Sequence, residues 1–333
     1  MSLNLPRRRF IQYALTLAIC VLLITIGCTQ TPDPDAGPFN KESTGEEVTE
    51  GIDLSGKTVV ITGVNSGLGY ETMRVLAMRG AHIIGLARNM EKAKKACASV
   101  EGKTTPVACE LTDFNSIVAC TETIKGLNKP IDILICNAGI MELPELEQVY
   151  GIEKQFVVNH LGHFILTNRL LDQVKAADQG RIVMLTSGRY KAAPPEGIQF
   201  DNLSGEKGYD PLTAYGQSKL AIALFSQELS RRLEGTTVTS NALSPGFIMT
   251  NLARHLPTWK IMLTKLIGWA FMRSVEQGVA TTCYVATHPE LARVSGHMFY
   301  NCNLYTPEGN HMSDRALAAK LWNVSVELTK DYL

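Results

Sequence analysis

Residues 57–69 read KTVVITGVNSGLG. Lys57–Thr62 is a short β-branched run, the composition of a strand buried on both faces of a parallel sheet. It passes directly into Gly63-Val64-Asn65-Ser66-Gly67-Leu68-Gly69 and then into a helical pattern, Tyr70–Arg79, closed by Gly80. A strand, a glycine turn and a helix in that order make the cradle that a dinucleotide needs. Backbone N–H groups at the helix start face the pyrophosphate, and glycines let the main chain come close to it. The spacing here is GxxxGxG rather than GxGxxG. Taken alone, such a loop is also an ordinary tight turn.

The chain on either side extends the pattern. The next strand, Ala81–Leu86 (AHIIGL), ends at Ala87-Arg88-Asn89. An NAD site places an acidic side chain at this point to hold the ribose 2′-hydroxyl. None is present, and Arg88 can pair with a 2′-phosphate, which favours NADP and leaves NAD as the second choice. A solvated arginine at a strand end would look the same. Thr104–Leu111 is a further strand leading to Thr112-Asp113, and Ile131–Cys136 (IDILIC) runs into Asn137-Ala138-Gly139. Residues 151–172 are amphipathic and helical, and Arg181–Thr186 (RIVMLT) ends at Ser187. The alternation predicts an α/β fold: a single Rossmann-type doubly wound parallel sheet flanked by helices, with chemistry at the C-terminal ends of its strands.

Charge and cysteine usage exclude several classes. The chain has 333 residues, with 32 Lys+Arg against 32 Asp+Glu, so it lacks the net positive charge expected of a nucleic-acid partner. The balance conceals segregation. Arg7, Arg8 and Arg9 stand together, and residues 31–50 hold Asp33, Asp35, Glu42, Glu46, Glu47 and Glu50 against Lys41 alone. The remainder, residues 51–333, carries about +2. The eight cysteines form no CxxC pair and no histidine lies at zinc-site spacing, so no metal is expected.

Phe10–Cys28 (FIQYALTLAICVLLITIGC) is uncharged and largely apolar. As a helix it would rise about 28 Å, close to a hydrocarbon core. Three readings stand side by side: a signal-anchor helix, a cleaved secretory signal, and a bacterial lipoprotein signal. In the third, Thr25-Ile26-Gly27-Cys28 is the lipobox and Cys28 carries the lipid. Arg7-Arg8-Arg9-Phe10-Ile11 resembles the twin-arginine export signature and equally obeys the positive-inside rule. The expected organisation is an N-terminal hydrophobic helix or signal over 1–28, an acidic flexible tether over 29–50, and one folded domain over 51–333. The protein is therefore expected on a membrane, through residues 10–28 or lipidated Cys28, with its side left open.

Together, Thr62–Gly69 (TGVNSGLG), Asn137-Ala138-Gly139, Ser187, Tyr215-x-x-x-Lys219 and Pro245-Gly246 resemble the short-chain dehydrogenase/reductase family in order and spacing. The resemblance covers residues 51–325. Gly151–Leu166 (GIEKQFVVNHLGHFIL), Asn202–Lys207 (NLSGEK) and Gly296–Cys302 (GHMFYNC) are similar to its retinol dehydrogenase branch, which includes the catalytic domain of the WW-domain-containing oxidoreductase. The resemblance implies Asn159, Ser187, Tyr215 and Lys219 as a catalytic tetrad. It implies cofactor contacts from Gly63, Asn65, Ser66, Gly67, Leu68, Gly69, Arg88, Asn89, Glu110, Leu111, Asn137, Ala138, Gly139, Tyr215, Lys219, Pro245, Gly246, Ile248 and Thr250. The family usually has Asp where Glu110 stands, which puts the adenine contact in question. Family habit also implies a homodimer or homotetramer.

These residues suit carbonyl reduction, which needs a hydride on carbon and a proton on oxygen. A free tyrosine titrates near ~10. Lys219 lies one helical turn after Tyr215, where its positive charge is expected to favour phenolate and lower the tyrosine pKa. Ser187 would polarise the substrate oxygen, and Asn159 would hold a water linking Lys219 to solvent. Singly, Tyr215 could be a packing residue and Ser187 a cap. Ser187, Met141 and Phe247 are the expected substrate contacts. The 188–211 loop and an apolar stretch within 246–275, including Trp259, Leu263, Leu266, Ile267, Trp269, Phe271 and Met272, suit a lipophilic alcohol, aldehyde or ketone. The alternative is a non-catalytic nucleotide sensor or interaction protein that keeps the fold.

Overall fold

A computed structural model of the chain describes residues 37–248, 273–307, 309 and 311–333. At its centre lies β1 (Thr58–Thr62), every residue of which is buried. Burial without alternation means that both faces are covered, and the same holds for β2 (His82–Ala87), β4 (Ile133–Cys136), β7 (Arg181–Leu185) and β8 (Thr239–Ser244). With β3 (Thr104–Ala108), β9 (Met298–Tyr300) and β10 (Asn303–Tyr305) they form one sheet in the order β10-β9-β8-β7-β4-β1-β2-β3. All neighbours are parallel except β10 on β9. β3 is the edge strand, where Pro106 is tolerated because its missing N–H can face outward. A separate two-stranded ribbon pairs β5 (Gln148–Val149) with β6 (Ile152–Glu153).

Side chains alternate between two cores. Val59 and Ile61 join Met73, Leu76, Cys97, Val279 and Cys283 on one face, under α1 (Gly67–Met78), α2 (Met90–Ala98) and α6 (Ala280–Thr287). Val60 joins Ile117, Phe156, Phe164, Leu224 and Leu321 on the other. That face is covered by α3 (Phe114–Lys125), α4 (Gly162–Lys175), α5 (Pro211–Arg232) and α7 (Arg315–Thr329). The chain moves outward from β1 through β2 to β3, then crosses back to β4 on the other side of β1. That reversal opens a crevice at the C-terminal ends of β1 and β4.

Three sequence expectations need correction. The strand expected over Thr104–Leu111 stops at Ala108, where the chain leaves the sheet. The helix expected over 151–172 is composite: β6, a short turn at Lys154–Phe156, a π-helical turn at Val157–Leu161, and then α4. The packed unit begins at Phe39, not near Ile52. Thr44 and Glu47 form a capping box around the helical turn Gly45–Val48, and Val48 and Thr49 are buried. Phe39 packs edge-on against Tyr284, and Arg79 donates to the Glu46 carbonyl. The second half of the expected tether is therefore folded onto the domain, and its acidic residues lie on the outer side of that turn. The hydrophobic helix or signal expected over 1–28 and the first half of the tether lie outside the described residues. Among the described residues, no helix is long and apolar enough to cross a membrane.

Candidate active site

β1 delivers the chain to a turn at Gly63, whose φ of +77° is in the left-handed region. A methyl group on Gly69 would overlap both the Gly63 carbonyl and the Asn137 side-chain amide. Glycine is what lets α1 start flush against the turn that follows β4. Ser66 is the N-cap residue of α1, yet its side chain makes no capping hydrogen bond. The first N–H groups of α1 therefore remain available to an anion. Around them lies a cleft of about 500 Å³.

Its walls bring together most of the expected cofactor residues: the glycine turn (Gly63, Asn65, Ser66, Gly67, Leu68, Gly69), Arg88, Glu110, Leu111, and Asn137, Ala138 and Gly139. This uncapped cradle, with glycines where the chain must come close, fits a dinucleotide. Arg88 is exposed at the end of β2. Asn89 does not join the walls. Its side chain accepts the Lys92 N–H at 2.9 Å and caps α2 instead. Glu110 lines the cleft but turns one carboxylate oxygen back to accept the Thr112 N–H at 3.0 Å. Cys109, Leu143, Glu147, Lys154 and Val158 also line it and were not expected. Lys154 and Glu147 form an ion pair of 2.6 Å at this wall, a pairing created by the β5–β6 ribbon rather than by any motif.

The four residues of the expected tetrad come from three places: Asn159 from the π-helical turn, Ser187 from just past β7, and Tyr215 and Lys219 from α5. Ser187 is half-buried, its Oγ accepting the Arg189 N–H at 3.2 Å, and Tyr215, the side chain whose phenol it favours in the charged form, is only 2% exposed. The Lys219 Nζ atom lies 5.8 Å from the Tyr215 ring centroid and donates to the Leu185 carbonyl at 2.9 Å. Asn159 is held at both ends of its amide. Oδ1 accepts the Ile140 N–H at 2.9 Å, while Nδ2 donates to the Ile140 carbonyl (3.0 Å) and to Ser218 Oγ (2.9 Å). A methyl on Gly139 would stand 3.0 Å from Asn159 Oδ1 and 3.5 Å from Lys219 Nζ, so the tetrad adjoins the cleft at Gly139.

The electrostatics overturn one expectation. Lys219 does not pull the Tyr215 pKa down in this structure. Burial pushes the phenol up to about 12; Ser187 and the charge of Arg189 oppose this, and Glu142 adds to it. Burial also lowers Lys219 to about 8, because no anion compensates the enclosed ammonium. Both groups pass from water into a packed interior, and desolvation outweighs their mutual effect.

Beyond β8, Gly246 has φ +90° and the Arg273 guanidinium fills the space beside it. Arg273 also stacks over Tyr300 at 5.2 Å. Ile248 bridges to Arg273 and reaches the same spot over Gly278 as Leu68 of the cleft wall, while Pro245, Gly246 and Ile248 do not themselves join the walls. Phe247 is 50% exposed and Met141 is half-buried. Thr250 and the apolar residues between Trp259 and Met272 lie outside the described residues.

Thr62 and His163 are polar residues that the sequence reading did not assign to the site. Thr62 Oγ1 accepts the N–H groups of Asn137 and Ala138, both at 2.9 Å, and Asn137 Nδ2 donates to the Thr62 carbonyl at 2.7 Å. Thr62 opens the TGVNSGLG motif, which was the available signal.

The model of the short chain dehydrogenase family matches residues 57–261. The chloroplastic short-chain dehydrogenase TIC 32 B of Brassica napus is 42% identical over 87% of this chain and 94% of its own length. Human retinol dehydrogenase 13 is 40% identical over 83% of this chain and 85% of its own length. The crystal structure of an uncharacterised protein from Mycobacterium paratuberculosis superposes with a TM-score of 0.68 at 32% identity, covering 85% of this chain and 97% of that one.

Proposed function

The chain belongs to the short-chain dehydrogenase family, in its retinol dehydrogenase-like branch, and from that premise we propose how its own residues carry the reaction. It is an NAD(P)-dependent oxidoreductase that interconverts an alcohol and a carbonyl compound. In the proposed mechanism, Asn159, Ser187, Tyr215 and Lys219 are the tetrad. The observation that carries this is the placement of Lys219 Nζ 5.8 Å from the Tyr215 ring, one turn along α5, with Asn159 and Lys219 both against the glycine cradle at Gly139.

In this mechanism Ser187 Oγ and Tyr215 Oη both donate to the substrate oxygen. Bound NAD(P)H supplies the hydride for the carbonyl carbon. Tyr215, held protonated by its burial, passes its proton to the oxygen as negative charge develops there. Ser187 keeps that oxygen aligned throughout. Lys219 replenishes the tyrosine proton, and its lowered pKa of about 8 suits proton exchange near neutral pH. Asn159 fixes the Ile140 turn against α5, so that Lys219 and the cradle keep a constant spacing.

Preference for NADP is supported by Arg88, exposed at the β2 end without an acidic neighbour in Ala87-Arg88-Asn89. A lipophilic substrate is supported by the apolar side chains of half-buried Met141, two residues past Gly139, and exposed Phe247, just past Pro245-Gly246. Attachment to a membrane through residues 10–28 or lipidated Cys28 is supported by the uncharged run in that segment. The test is coenzyme oxidation by the purified full chain, with NADPH and NADH, across matched apolar and polar aldehydes and ketones. Faster turnover of NADPH with the apolar set is the expected result. Turnover of the polar set alone, or equal use of both coenzymes, contradicts the corresponding part of the proposal.

A further inference from the structure

His163 is fully buried on the first turn of α4 and bridges the two halves of the site. Its Nδ1 lies 3.0 Å from the Asn159 carbonyl, and its Nε2 lies 3.0 Å from Thr62 Oγ1. A carbonyl can only accept, so Nδ1 carries the proton and Nε2 is the acceptor. The threonine can satisfy it. Thr62 Oγ1 already accepts the N–H groups of Asn137 and Ala138, which leaves its own proton to donate. The alternative acceptor, the Ile135 carbonyl, is further away at 3.5 Å. The result is one directed chain: Asn137 and Ala138 N–H to Thr62, Thr62 O–H to His163, and His163 N–H to the Asn159 carbonyl. Such a chain polarises itself and has a single sense.

The imidazole holds this state throughout the working pH range. Burial lowers its pKa to about 4; its bond to the Asn159 carbonyl opposes this, and the facing Lys219 charge adds to the lowering. Its neighbour His160 is also neutral under burial, at about 3, and bonds Ser325 on α7. His163 is thus a fixed connector and not a switch. Asn159 sits in the π-helical turn, where wider winding re-aims main-chain groups. With its side chain committed to Ile140 and Ser218, its carbonyl is held by His163.

We propose that His163 is a positioning residue that couples the turn at Thr62, Asn137 and Ala138 to the Asn159 carbonyl, and so sets coenzyme affinity and proton relay together. The inference rests on the tetrad reading above for its relay half only. Its cradle half concerns binding and stands apart from turnover.

Two isosteres separate the halves. In His163→Asn the amide overlays the Nδ1 edge and keeps a donor for Asn159. In His163→Gln it reaches the Nε2 position and keeps a partner for Thr62. His163→Phe removes both. NADPH dissociation constants are measured by fluorescence titration without substrate, and the pH profile of kcat is measured separately. Loss of one buried hydrogen bond is expected to change the affected readout on the order of tenfold. His163→Gln should keep NADPH affinity and shift the pH profile. His163→Asn should keep the profile and weaken NADPH binding, and His163→Phe should do both. If the Asn and Gln variants behave alike, or change only melting temperature, the proposal is overturned; this pair decides it even when the Phe variant does not fold. If Tyr215→Phe remains fully active while the NADPH pattern holds, the tetrad reading fails and the cradle half stands.

Discussion

Replacing Lys219 by Met should make the folded protein more stable at neutral pH while removing activity. Lys219 is 4% exposed, its Nζ bonds the Leu185 carbonyl, and burial lowers its pKa from 10.5 to about 8. At about 1.4 kcal/mol per pKa unit, keeping the ammonium charged in the fold costs roughly 3 kcal/mol at pH 7. Methionine fills nearly the same space without charge. It leaves the Leu185 carbonyl without this donor, a loss of about 1–2 kcal/mol. The net expectation at pH 7 is a gain of roughly 1–2 kcal/mol. The sign changes with pH. Between about 8 and 10.5 the unfolded chain binds more protons at Lys219 than the folded one, so wild-type stability rises with pH relative to the variant. Near the top of that window the cost is gone and only the lost hydrogen bond remains, so the variant becomes the less stable protein. Urea unfolding of both proteins at pH 7 and pH 10, followed by far-ultraviolet circular dichroism, measures this directly, since all other groups titrate in both. A difference that is the same at both pH values, or a less stable variant at pH 7, would refute the assignment of Lys219 as a charge held at a cost for function.

Other predictions follow from single contacts. Thr62→Val leaves two part-buried N–H groups without their acceptor and should cost about 1–3 kcal/mol in urea unfolding; a smaller loss means that those groups find another partner. Arg88→Ala should weaken NADPH binding at least about tenfold in calorimetric titration and leave NADH unchanged, the loss of one charge-assisted contact. Equal weakening of both coenzymes counts against a 2′-phosphate role. Val48→Ala should destabilise by about 1–2 kcal/mol, because the residue is 1% exposed; no loss would mean that the turn at Gly45–Val48 contributes nothing to the domain.

The parts of the fold read correctly from sequence are those where local chemistry has one solution. Thr58–Thr62 followed by GxxxGxG admits few structures, because Gly69 must meet the Gly63 carbonyl and the Asn137 amide at a distance no side chain allows. The π-helical turn at Val157–Leu161 was missed because its apolar spacing is that of a helix, and one residue of extra winding leaves no mark on hydrophobic periodicity. The domain boundary was misplaced for a different reason. Acidic composition over 29–50 suggested a solvated tether, while Thr44-Gly45-Glu46-Glu47 carried a capping-box signal that composition hides. The resemblance implies a cofactor contact from Asn89, but a residue at a helix start is as readily a cap. The pKa of Tyr215 went the opposite way from expectation because the i,i+4 spacing gives the neighbour and not the burial, and burial dominates. His163 was illegible because both its partners are remote or main-chain: Thr62 lies 101 residues away.

The central claim is that Tyr215 delivers the proton in a hydride transfer to a carbonyl. The most direct measurement uses NADPH deuterated at the transferring position, an apolar aldehyde, and the wild-type and Tyr215→Phe proteins side by side. The account predicts deuterium on the carbonyl carbon of the alcohol formed by the wild type. It predicts a rate at least about a hundredfold lower in Tyr215→Phe, with NADPH binding retained. Product without deuterium, or an undiminished rate in the variant, would contradict it.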